Sequence, residues 1–191
     1  MPGDLNMGGA VGALSESPIA LSQGPSLTSL ASLGLPLAVQ ATILVLTAGI
    51  VTWAAISDLR GNIIPNSANV ALFVLWTGWV VSGAQVQVGY SIGIGAATFL
   101  VGAILFHFNQ MGGGDVKMLT VLGIWAGPAE VVPFLLQVAV FGGMLTMVWI
   151  AYGRFAAPAL GRVVSIESKR VVPYGVAIAA GAYLLLLRLW N

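Results

Sequence analysis

The sequence predicts an all-α membrane protein, six apolar helices in one bundle, and three observations carry that reading. Hydrophobic residues make up 58% of the 191 positions and charged residues 7%, whereas a soluble domain is about a quarter charged. The mean hydropathy is +0.97. Apolar runs of helical length recur along the chain, and the basic residues cluster in alternate loops between them. The same composition excludes other classes. A net charge of +1 is too small to attract nucleic acid, and with no Cys there is no disulfide framework, thiolate metal site or thiol nucleophile. Chemistry is left to oxygen and imidazole groups.

Residues 1–34 are rich in Ser, Gly, Pro and Leu, carry no Lys or Arg and show no helical periodicity, which reads as a mobile tail. A cleaved signal peptide is not expected, because the first basic residue is Arg60 and no basic n-region precedes the first apolar run. Residues 35–191 form the membrane domain. Helix one, 35–56, has 22 residues without a charge, enough to cross a hydrocarbon core of about 30 Å at about 1.5 Å per residue. Further apolar runs lie at 68–84, 89–108, 116–126, 131–152 and 171–190. The fourth is short, and Pro128 and Pro133 blur its outer end, so five spans is the competing count.

With six spans, the loops after helices one, three and five hold Arg60, Lys117, Arg154, Arg162, Lys169 and Arg170, against Arg188 alone on the other side. Since Lys and Arg in short loops stay cytoplasmic, both termini are expected outside. Small residues four apart, Gly89, Gly93 and Ala97 in helix three and Gly175 with Ala179 in helix six, mark expected helix contacts. No internal repeat is visible, which argues against a repeat-built transporter.

Ionisable groups at or inside a membrane boundary are costly and are functional candidates. Here they are Asp58, Arg60, His107, Asp115, Lys117 and Arg188. Asp58 ends helix one, and Asp115 opens helix four after Gly112-Gly113-Gly114. The expected topology puts both on one side. Two carboxylates converging from different helices can run an aspartic protease, one activating a water while the other, protonated, hydrogen-bonds the scissile carbonyl. Either Asp alone could instead be a helix cap or an interfacial charge. Three consecutive glycines tilt the balance for Asp115, because they permit strained turns and close approach of an extended peptide. From Asp115 to Gly127 is 13 residues, a helix of about 20 Å in a core of about 30 Å. With its outer end at the outer interface, such a helix puts Asp115 below the inner one, where irregular backbone requires surrounding protein or a hydrated pocket.

Three segments resemble the type IV prepilin peptidases, membrane aspartic proteases with a Gly-x-Gly-Asp motif. Gly112-Gly113-Gly114-Asp115-Val116-Lys117 resembles that motif. The segment from Asp58 to Asn66 resembles the surroundings of the family's first catalytic Asp, and Val172-Pro173-Tyr174-Gly175 begins a segment like its C-terminal helix. The resemblance covers about residues 37–190. It implies that Asp58 and Asp115 are the catalytic pair and that the substrates are prepilins or pseudopilins, cut at the cytoplasmic face of the inner membrane. Long members carry a cytoplasmic N-terminal region, often with zinc-binding Cys, and methylate the product. This chain resembles the short forms of tight-adherence (Flp) pilus systems, for which methylation is not expected.

Gly112, Gly113, Gly114, Lys117, Arg60, Pro173, Tyr174 and Gly175 complete the expected site as substrate-binding or site-shaping residues. Lys117 lies about 200° around a helix from Asp115 and is expected to snorkel. Arg60 either favours the charged form of Asp58 or anchors the helix end. Asn66 and Pro65 shape the start of helix two, and His107 is a packed or interfacial residue. No metal and no cofactor is assigned, the partners are the pilin substrate and the lipid bilayer, and the rival reading is an ion or proton-coupled transporter subunit using the same carboxylates.

Overall fold

The structure, a computed structural model, describes residues 27–152, 154 and 173–190. Every regular element in that set is helical: α1 (Leu27–Gly61), α2 (Asn66–Val81), α3 (Val88–His107), α4 (Gly113–Ala151) and α5 (Tyr174–Trp190). Of the tail expected at 1–34, positions 27–34 are helical and continue into α1, while residues 1–26 lie outside the described set. Leu27, Leu30 and Leu33 recur every third residue, a spacing that suits a helix better than a loop. Arg162, Lys169 and Arg170 also lie outside the described residues.

Local chemistry sets the helix ends. Asn62 takes φ 51° and its N–H donates to the Asp58 carbonyl at 2.8 Å, a left-handed cap that stops α1 just past its acidic residue. Asn109 takes φ 56°, and the N–H groups of Asn109 and Gln110 donate to the carbonyls of Phe106 and Leu105. That pair of bonds is the Schellman arrangement and ends α3. Neither end uses glycine, because Asn tolerates positive φ at small cost.

Segments four and five of the sequence reading are joined as α4, with a break at Gly127 (φ 58°, ψ −169°). Two causes coincide there. The residue before a proline avoids helical backbone, and Pro128 needs no N–H partner in the first turn of a new helix. The chain reverses at this point, as the contacts on either side demonstrate. In the first arm, 113–126, Lys117 meets Asn66 and Trp125 donates to the Leu72 carbonyl at 3.0 Å, so this arm runs parallel to α2. In the second arm, Gly142 faces Tyr174, Val138 faces Gly181 and Glu130 pairs with Arg188, so it runs antiparallel to α5. The six apolar segments therefore alternate in direction, and both carboxylates lie at one end of the bundle.

Met118 and Leu122 of the first arm of α4 are fully buried, and they share one core with Val51, Leu72, Ile178 and Leu185 from the other helices and Phe134 from the second arm. The outside is apolar too, with Val45 72%, Met147 75% and Val81 80% exposed, a surface suited to lipid and unlike that of a soluble monomer. α1, α3 and α4 have the length and apolar composition of membrane-crossing helices, and α2 and α5 are shorter apolar helices.

The interface of α3 with α4 corrects one expectation. A Cβ added at Gly89 or Gly93 would meet no other part of the protein within 4 Å, and Ala97 is exposed. The buried stripe is Ser91, Gly95, Thr98 and Gly102, where added Cβ atoms at Gly95 and Gly102 would lie 2.3 Å from Ile124 and 2.8 Å from Val116. Helix three carries small residues on two faces at similar spacing, and two residues of register, about 200°, separate the inner stripe from the outer one. Gly175 and Ala179 are both buried, as expected.

Candidate active site

Asp58 and Asp115 reach the same place from different helices. Asp58 stands in the last turn of α1 and Asp115 in the first turn of α4, with 5% and 8% of their surface exposed. The two carboxylates are close enough to interact electrostatically. Each is held by the backbone N–H of a glycine. Oδ2 of Asp58 accepts from Gly175 N–H at 2.8 Å, which is the amino end of α5, where unpaired N–H groups and the helix dipole favour an acceptor. Oδ2 of Asp115 accepts from Gly112 N–H at 3.3 Å. This is one half of a capping box, since glycine has no side chain to complete the other half. Oδ1 of Asp115 is buried without a hydrogen-bond partner, a costly arrangement that leaves one oxygen able to engage a ligand.

The glycines act through close approach. Gly112 has ordinary extended backbone, φ −72° and ψ 147°, and among the described glycines only Gly83 and Gly127 have positive φ. Strained turns therefore play no part in Gly112-Gly113-Gly114. A Cβ at Gly112 would sit 2.8 Å from Oδ2 of Asp115, and one at Gly114 would sit 3.0 Å from Cβ of Ile64 in the turn between α1 and α2. Gly114 thus lets the start of α4 close on that turn, while Gly113 makes only ordinary contact with Phe106 at 3.4 Å.

Pro173 is buried, and its carbonyl accepts from Val176 N–H at 3.2 Å, which opens α5. Tyr174 packs its ring against Gly142 and fixes the start of α5 to the second arm of α4. Arg60 is exposed, makes no ion pair among the described residues and lines a shallow cavity with Trp53 and Ser57, so it does not hold the charge of Asp58. Lys117 turns away from Asp115 and donates to Oδ1 of Asn66 at 2.9 Å. Pro65 occupies the N-cap position of α2 without a side-chain cap, so Asn66 serves α4 through Lys117 more than it caps its own helix. His107 is exposed and meets Phe108 edge-on. Among the described residues, no three His, Asp or Glu side chains gather as a metal site.

The sequence pointed to the two carboxylates and the glycines beside them as candidates but not to Asn69, which is 7% exposed with both amide atoms unpartnered. Only its amide within an otherwise apolar run, three residues after Asn66, signals it.

An apolar bundle with three helices of membrane-crossing length and two buried carboxylates at one end has the make-up of a multi-pass membrane protein. A sequence model of the type IV leader peptidase family matches residues 45–147, more than half of the chain, and the chain belongs to that family. The match contains Asp58 and Gly112 to Lys117 and stops before Pro173. No curated protein and no solved structure matches. Membership makes the chain a peptidase of the prepilin-leader type, with pilin-type substrates in general.

Proposed function

We propose that the protein is an intramembrane aspartic endopeptidase that removes the short basic leader of a prepilin or pseudopilin at the cytoplasmic membrane face. The supporting observation is the pair Asp58 and Asp115: two buried carboxylates from different helices, near enough to interact electrostatically, each held by a glycine N–H, with Oδ1 of Asp115 unpartnered. Two carboxylates this close in a low-dielectric pocket do not both ionise cheaply, so they share a proton. The ionised member takes a proton from water, the resulting hydroxide attacks the scissile carbonyl, and the protonated member hydrogen-bonds the carbonyl oxygen as it gains charge. The carboxyl that took the water's proton gives it to the departing nitrogen as the C–N bond breaks, releasing the leader as a carboxylic acid and the new amino terminus, which stays unmethylated.

Six membrane crossings with both termini outside complete the proposal. The alternating helix directions and the placement of Arg60 and Lys117 at the carboxylate end, opposite Arg188, support that orientation. Co-expression with a candidate prepilin tests the activity. A gel shift with a new N-terminus at the leader junction is expected, and unprocessed prepilin beside abundant inserted protein would count against it.

A further inference from the structure

Between α2 and α3, backed by the first arm of α4, lies a groove of about 400 Å³. Its walls are Val70, Phe73, Phe99 and Val121, and Asn66, Asn69, Lys117 and Thr120 complete the lining. Val70, Phe73 and Phe99 are 62%, 44% and 50% exposed, so the groove opens on the lipid-facing surface. Lys117 stands at its carboxylate end and has no acidic partner among the described residues, where the one ion pair joins Arg188 to Glu130. Asn69 is more than nine-tenths buried, and neither Nδ2 nor Oδ1 has a hydrogen-bond partner. An unpaired buried amide costs about 1–3 kcal/mol, and it lines this groove.

We propose that the groove is a binding site for one anionic phospholipid. The order of its chemistry matches that of such a lipid along the bilayer normal. Lys117, beside Asn66 at the start of α2, meets the phosphate. Asn69 lies three residues further along, about 4.5 Å deeper, level with the glycerol esters, and its Nδ2 donates to an ester carbonyl. Val70, Phe73, Phe99 and Val121 take the acyl chain. Free phosphate would leave those walls bare, and a zwitterionic lipid would oppose Lys117 with its own cation. Basic pockets between helices are an established way to select anionic headgroups. The site is separate from the carboxylate pair and does not depend on the peptidase reading.

Native mass spectrometry of the purified full-length protein, with phosphatidylglycerol and phosphatidylcholine added in equal amounts, tests the assignment. The wild type should retain phosphatidylglycerol preferentially, and Lys117→Gln should reduce that preference by about fivefold, the effect of one basic residue near an anionic headgroup. Asn69→Leu should weaken retention of the lipid, and Arg188→Gln, at the other end of the bundle, should change nothing. Val70→Trp fills the groove from a lipid-facing position and should abolish retention even if Asn69→Leu fails to fold. Equal retention of the two lipids, or a preference unchanged in Lys117→Gln and Val70→Trp, would overturn the proposal. Loss of the lipid on adding stoichiometric prepilin would also overturn it, in favour of a peptide groove.

Discussion

At the residue scale, a methyl group added at Gly175 would lie 2.8 Å from Oδ2 of Asp58 and 3.0 Å from its Cβ and Cγ. The carboxylate would have to move, and its bond to the Gly175 N–H would go with it. A displacement of about 1 Å in a catalytic group can cost about a hundredfold, so Gly175→Ala should lower prepilin cleavage by about that factor at matched levels of inserted protein. Gly112→Ala should act on Asp115 in the same direction, since its Cβ would also fall 2.8 Å from the carboxylate. Gly113→Ala is the contrast: its Cβ meets only Phe106 at 3.4 Å, and cleavage should stay within a few fold, about the range of an ordinary surface change. Equal losses at all three positions, measured by the rate of the gel shift, would mean that the glycines serve helix geometry instead of the carboxylates. The sequence made these glycines visible as a motif but not their purpose. Gly175 is 117 positions from Asp58, and only the packing of α5 against α1 brings them together.

At the scale of elements, the six apolar segments were legible because composition and length report a buried or lipid-facing helix directly. Their faces were not. Helix three offers Gly89, Gly93 and Ala97 on one side and Gly95 and Gly102 on another, and in lipid both sides are apolar, so no polar stripe marks the outside. The structure separates them: an added Cβ at Gly95 collides with Ile124, and one at Gly93 meets nothing. Gly95→Leu should therefore lower the thermal unfolding midpoint of the detergent-solubilised protein, while Gly93→Leu leaves it within about a degree or two, as a surface change would. Gly127 belongs to the same test, because its φ of 58° lies in the left-handed region and its Cβ would sit 3.0 Å from Ser91 Oγ. With ψ at −169° this backbone is essentially reserved for glycine, and Gly127→Ala should destabilise by about 1–3 kcal/mol. Unchanged unfolding of both Gly95→Leu and Gly127→Ala would contradict the reversal at Gly127 and the packing of α3 on the first arm.

At the scale of the whole molecule, alternating helix directions place the turn of α1 into α2 and the segment between α3 and α4 at the carboxylate end. The segment between α2 and α3 lies at the other end. Gln110 and Gln85 stand exposed in these two regions, and the chain has no native Cys. In intact cells, Gln85→Cys should react with an impermeant thiol reagent and Gln110→Cys should not, until the membrane is permeabilised. The reverse pattern would turn the carboxylates away from the cytoplasm. Charge counting predicted this orientation, but composition could not show that Lys117 would spend its hydrogen bond on Asn66 or that Asn69 would be buried unpaired. Both facts depend on α2 running parallel to the first arm of α4.

If Asp58 and Asp115 work as one unit, as proposed, then matched cleavage rates for Asp58→Asn, Asp115→Asn and the double variant will reveal it. Asn keeps the size of the side chain but supplies neither a base nor a carboxylic acid proton. Each single variant should abolish processing with insertion intact, and the double variant should be hardly worse than either, because residues that serve one step do not contribute independently. Substantial cleavage by either single variant, at an equal amount of inserted enzyme, would contradict the aspartic mechanism and return the two carboxylates to the ion-relay reading.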